Sequence, residues 1–141
     1  MSYTITRTDD IDACLALRRA VFIDEQNVPE DIEMDDLDDV AVHLLATDET
    51  GAPAGTARLL FAGETGKIGR VCVLKEHRGT GLGADLIRHS VEILKATDGL
   101  TRAKLGAQAH AVGFYEKLGF SVCGPEYMDA GIPHYDMDMP L

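Results

Sequence analysis

Cysteine is scarce, basic residues are outnumbered, and long apolar runs are missing. The three cysteines, Cys14, Cys72 and Cys123, are an odd number, widely spaced, with no Cys-x-x-Cys pair. That argues against a disulfide framework and a cysteine zinc site, so no metal is expected and a reducing, cytoplasmic setting is. No stretch approaches the roughly 20 apolar residues of a membrane span. The first ten residues hold no basic patch followed by an apolar run, so no secretory signal is expected. Lys and Arg number 13 against 24 Asp and Glu, a formal charge of −11. Binding to phosphate backbones needs a basic surface, so a nucleic-acid partner is not expected either. Repeats, low-complexity tracts and Pro/Ser linkers are absent. With 141 residues, 45% of them hydrophobic, the chain can build one sizeable core and is read as a single domain, 1–141.

The acid excess is concentrated. Glu30, Asp31, Glu33, Asp35, Asp36, Asp38 and Asp39 put seven acids into ten residues with no base among them. They form either a solvated acidic loop or a collar that attracts a cationic ligand. Around them, residues 3–7 read as a strand. The run Thr8-Asp9-Asp10 offers an N-cap for a helix over 11–22. Strands are expected over 40–47, 54–61 and 67–74, joined as an antiparallel meander. The period then changes: Leu82, Leu86, Ile87, Val91 and Leu94 carry helical spacing over 81–96. A strand over 101–108, a helix over 109–118 closed by Gly119, and strands over 120–123 and 134–139 complete an α+β pattern.

The segment from Val71 to Gly83 is the most informative. An apolar strand runs into a basic, glycine-rich loop, which runs into a helix. Gly79, Gly81 and Gly83 let the backbone turn tightly and aim several N–H groups at one spot, at the positive end of a helix dipole. Such a site suits a pyrophosphate. A P-loop would end in Gly-Lys-Ser/Thr, which is not present. A dinucleotide fingerprint fits in letters through Gly79, Gly81, Ala84 and Asp98. It should begin directly after the strand, whereas Lys75 to Arg78 intervene here. A purely structural glycine turn is the remaining alternative.

Arg78-Gly79-Thr80-Gly81-Leu82-Gly83 resembles the R-x-x-G-x-G/A signature of the GNAT superfamily of N-acetyltransferases. Gly113-Phe114-Tyr115-Glu116-Lys117-Leu118-Gly119-Phe120 resembles that family's F-Y-x-K-x-G-F turn from helix to strand. The resemblance covers essentially the whole chain. It is narrower, to the ElaA-like bacterial branch, in Leu17-Arg18, Val21-Phe22, Glu25-Gln26, Val28-Pro29, Asp35, His43, 106–110 and 131–134. The front half also resembles the acyl-homoserine lactone synthases, whose chains are typically longer.

The resemblance implies a mixed central sheet of about six or seven strands flanked by about four helices, splayed between the fourth and fifth strands. It implies acetyl-CoA as co-substrate and a small-molecule amine as acceptor, in a monomer or homodimer. CoA would be held by Val71, Cys72 and Val73 through main-chain hydrogen bonds. The loop Arg78, Gly79, Thr80, Gly81, Leu82, Gly83 and Ala84 would take the pyrophosphate. Gln108, where many family members have Asn, and Tyr115 would complete that site. Tyr115 occupies the position of the general acid: a phenol can donate a proton to a departing thiolate. Glu25, His43, His110, His134 or a water chain would serve as base. Arg18, Glu25, Gln26, His43 and His134 would border the acceptor, and Arg18 could equally pair with an acid of the run. Cys72 reads as a small buried hydrophobe. A non-catalytic acyl-CoA-binding module and transfer of a longer acyl group are the rival readings.

Overall fold

The computed structural model describes residues 2–141; Met1, where the expected domain begins, lies outside them. Eight strands form one sheet: β1 (Thr4–Thr8), β2 (Val42–Thr47), β3 (Pro53–Ala62), β4 (Thr65–Val73), β5 (Arg102–Gln108), β6 (Ser121–Val122), β7 (Tyr127–Asp129) and β8 (Ile132–Pro140). Their order is β1-β2-β3-β4-β5-β8-β6, and β7 pairs with β8. The expected meander is present, antiparallel from β1 to β4. Only β4 and β5 run parallel, which requires a crossover, supplied by helix α3 (Leu82–Lys95).

Residues of β2 alternate between two layers. Leu44 and Ala46 pack with Leu82 and Leu86 of α3. Leu45, between them, packs with Leu17 and Val21 of the first helix and with Cys72. The first helix and α3 therefore cover opposite faces, as a period of two dictates. Leu82, Leu86, Ile87, Val91 and Leu94 are all buried. At roughly 1.5–3 kcal/mol each, they are the main reason α3 stays on the sheet.

Helix α1 (Ile11–Arg18) is capped as expected, with the Ala13 N–H donating to the Asp10 carboxylate at 3.2 Å. It does not end at residue 22. It widens into a π-turn over Arg19–Glu25, with the Gln26 N–H reaching the Val21 carbonyl at 3.1 Å. A short helix α2 (Glu30–Glu33) opens the acid run, and α4 (Val112–Glu116) follows a 3₁₀ turn.

The strand count exceeds the expected six or seven because of the β7–β8 hairpin. Its two-residue turn, Ala130 (φ 51°) and Gly131 (φ 78°), has positive φ at both positions, as a type I′ turn requires. No Asn-Gly or Asp-Gly announces it; alanine occupies a conformation that usually costs it about 1–2 kcal/mol.

Candidate active site

The sheet opens where β4 and β5 part. They pair from Thr65/Arg102 to Ile68/Leu105 and no further. A bulge is the cause. Gly69 faces Arg58 and Cys72 faces Thr56, so Arg70 and Val71 together oppose the single residue Ala57. Arg70 has φ 50°, a left-handed conformation rare for a side chain of its size. The extra residue bends β4 away from β5. A cleft of about 740 Å³ fills the gap, walled by the π-turn, the inner edges of both strands and the β7–β8 hairpin.

Val71, Cys72 and Val73 border the cleft along the edge of β4 that has no strand beside it. Arg78 reaches in from the glycine loop. Its Nε donates to the Val73 carbonyl at 3.0 Å, and its Nη2 to Glu25 at 2.8 Å. Behind it, Gly79 (φ 77°) and Gly81 (φ 88°) take left-handed conformations that other residues resist. Thr80 braces the turn: its hydroxyl donates to the His77 carbonyl at 2.6 Å. Leu82 turns its side chain into the core. Gly81 caps α3 with no side-chain acceptor, which leaves first-turn amides of Gly83 and Ala84 for a ligand.

Across the cleft, Gln26, Gln108 and His110 form a hydrogen-bonded chain. Gln108 bridges Gln26 at 3.1 Å and His110 at 2.8 Å. All three border the cleft, as do Tyr115 and His134. Tyr115 stands edge-on to both Phe114 and Phe120. Burial raises its pKa above that of an ordinary phenol, so the hydroxyl keeps its proton. His134 lies 2.7 Å from the Ile132 carbonyl through Nδ1. A carbonyl only accepts, so Nδ1 carries the hydrogen and Nε2 holds the free lone pair. Tyr127 stacks on the His134 ring, and its hydroxyl donates to Asp136 at 2.9 Å. Burial and that carboxylate push the Tyr127 pKa up.

Three expected site residues are placed elsewhere. Arg18 is 1% exposed and holds Glu33 and Asp38 at 2.8 and 2.7 Å, so it meets no acceptor. His43 is 3% exposed, does not border the cleft, and donates from Nε2 to the Asp38 carbonyl. Glu25 sits beside Arg78 at the loop, outside the cleft lining. Cys72 is buried with its thiol pushed up to about 12, which leaves it protonated and a poor nucleophile.

The acid run is no free collar. Glu30 pairs with Arg19, Glu33 with Arg18 and Arg70, Asp35 with Arg58 and Arg70, and Asp38 with Arg18 and Arg58. Burial alone would raise the Asp35 and Asp38 carboxyls. Hydrogen bonds and charge from Arg58 and Arg18 outweigh it and hold both below the usual carboxylate range. Arg70 and Tyr127 border the cleft and were not singled out from the sequence; Glu33, one of the seven acids of the run, borders it too. An arginine within a strand otherwise rich in Ile and Val was the one available signal.

Among the described residues no helix is long and apolar enough to cross a membrane, and no cluster of potential metal ligands occurs. YyaT of Bacillus subtilis is 42% identical over 133 residues, covering 92% of this chain and 88% of that protein. ElaA of Escherichia coli is 38% identical over 128 residues, covering 89% and 84%. Its crystal structure matches with a TM-score of 0.82 at 32% identity, covering 98% of both chains. A Bacillus subtilis acetyltransferase in complex with CoA shares the fold alone, with a TM-score of 0.77 at 18% identity over 99% of both chains. The family model for the acetyltransferase (GNAT) domain matches residues 11–141, and the chain therefore belongs to the GNAT family of acyltransferases.

Proposed function

We propose that residues 1–141 act as one N-acetyltransferase domain, moving an acetyl group from acetyl-CoA to a primary amine by direct attack in a ternary complex. The observation that carries this is the parting of β4 from β5, with a protonated phenol and a histidine of fixed tautomer on the same cleft. The bare edge of Val71, Cys72 and Val73 offers main-chain hydrogen bonds to the pantetheine arm, as an added strand would use. First-turn amides of α3 and Arg78 suit the pyrophosphate. Backbone N–H groups near Val73 would polarise the thioester carbonyl. A fold neighbour solved in complex with CoA supports CoA as the donor.

His134 is the best-placed base. Its Nε2 is free, whereas the His110 Nε2 is bonded to Gln108 and Glu25 is paired with Arg78. Nε2 takes the proton of the incoming ammonium. The amine nitrogen then bonds the acetyl carbon and the carbon–sulfur bond breaks; Tyr115 protonates the thiolate, and the second proton lost by the new amide nitrogen restores the phenol. A route through acyl-Cys72 is disfavoured by the buried, protonated thiol.

Free-thiol release from acetyl-CoA, measured with a panel of amines, tests the reading. Tyr115→Phe should lower kcat by roughly 10²-fold or more while the Kd for CoA stays within about twofold. His134→Gln should lower kcat by roughly 10²-fold or more, with CoA affinity unchanged. CoA binding without thiol release for any amine would instead assign the chain a binding role.

A further inference from the structure

Arg70 is unlike the other arginines of the cluster. Its Nε lies 2.8 Å from Glu33, and its Nη2 reaches the Ile32 and Glu33 carbonyls and Asp35 at 3.2–3.4 Å. Nη1 is left over, without a partner among the described residues, on a side chain that is 26% exposed and borders the cleft. The bulge places it two residues beyond the last β4–β5 pair, beside the edge where the thioester would lie. A left-handed φ at an arginine is backbone strain, and strain of this kind collects at functional sites.

Resting on the acetyl-transfer reading above, we propose that Arg70 is a specificity-determining residue that anchors a carboxylate carried by the acceptor amine. Nη1 would donate to one carboxylate oxygen while the amine nitrogen points across the cleft to His134. Charge supports an anion here. Burial first, and then the neighbouring Arg58 and Arg18, lower the Arg70 pKa despite Glu33 and Asp35, so the charged guanidinium is left short of stabilising partners. One further negative charge redresses that. A phosphate dianion would meet Glu33 and Asp35 too closely, which favours the singly charged carboxylate. The paired acids of the run are thus matched by arginines, and the cluster meets the cleft through Arg70 in place of a negative collar for a cation.

Acceptors matched in all but the charged group test this. A series of ω-amino acids of increasing length would be compared with their amides, with the amines lacking the carboxyl group, and with phosphoethanolamine against ethanolamine. The amino acid should be preferred in kcat/KM by roughly ten- to a hundredfold over its amide and amine at one or more chain lengths. In Arg70→Gln the ratio should collapse toward one, through KM. Arg70→Lys keeps a cation for Glu33 but not the forked donor, and should give an intermediate ratio. CD melting and CoA titration check that both variants fold. Thermal shifts by the matching N-acetyl amino acids and N-acetyl amides, with CoA present, read the same selectivity if no transfer is detected. The proposal fails if carboxylates are not preferred at any length, if phosphoethanolamine is the preferred anion, or if the preference survives in Arg70→Gln. Equal slowing of charged and neutral acceptors through kcat would assign Arg70 to the acetyl carbonyl instead.

Discussion

Beneath the β4 bulge, three arginines and three carboxylates pack around the almost fully buried Arg18 and Glu33, with Arg70 and Asp35 at the cluster's wetter rim; at the glycine loop, Arg78 meets Glu25 at the surface. Side chains of the Arg18–Glu33 pair are 1% and 2% exposed, and those of Arg78 and Glu25 43% and 36%. The chemistry is the same and the consequences differ. A buried pair is costly to assemble and far costlier to break on one side, because the survivor stays desolvated. An exposed pair contributes little and exchanges partners readily. The first arrangement fixes the 30–39 segment over β3 and β4. The second could give way to a pyrophosphate under the proposed cofactor placement, since that group offers Arg78 more than one carboxylate can.

The sharpest way to break this contrast is Glu33→Ala. It leaves Arg18 with Asp38 alone and Arg70 with Asp35 alone, and the expected loss is about 3–5 kcal/mol, or roughly 10 °C in Tm by calorimetry. A change within 2 °C would mean the cluster is hydrated and the contrast false. Acid titration gives the next largest effect. Asp35 and Asp38 have carboxyls held below their unfolded pKa, so the unfolded chain takes up protons first. Their contribution is complete above the unfolded value of about 4 and drains away as pH falls below it toward the folded values. Urea midpoints measured from pH 6 down to pH 2.5 should therefore decline chiefly below about pH 4. The smallest effect belongs to the surface pair. Glu25→Gln should leave Tm nearly unchanged and tighten CoA by no more than about fivefold, a gain that shrinks with added salt. Weaker CoA binding in that variant would give Glu25 a direct role in the cofactor site.

The two clusters also differ in how readable they were. The glycine loop and Tyr115 lie in contiguous runs whose local chemistry dictates their geometry, so letters and spacing sufficed. For the acid run the sequence offered Arg18 as a pairing partner, and that pairing is present, but the other neutralising arginines, Arg58 and Arg70, come from two separate strands. Counting charge along a chain cannot see them. Arg70 depended on a one-residue register shift that leaves no local mark. His134 was nameable as a base, but its tautomer follows from the Ile132 carbonyl inside a hairpin that no Asn-Gly or Asp-Gly turn announces. Glu25 and His43 showed the reverse: side chains fit for proton transfer, bonded elsewhere by the tertiary fold.

The gap between β4 and β5 also gives the sheet two raw edges in its middle. Beyond Ile68 and Leu105, backbone donors and acceptors of each strand face open space, and Arg78 occupies one of them, the Val73 carbonyl. Unpaired edges invite any extended segment to add itself as a strand, which is how folded chains begin to aggregate. The sheet's outer edges are β1 on one side and the short strands β6 and β7 on the other, so the longer open edges lie in its interior. A pantetheine arm lying along β4 would quench it. If the proposed donor lies there, it also shields the open edge, and self-association should be greatest when CoA is scarce.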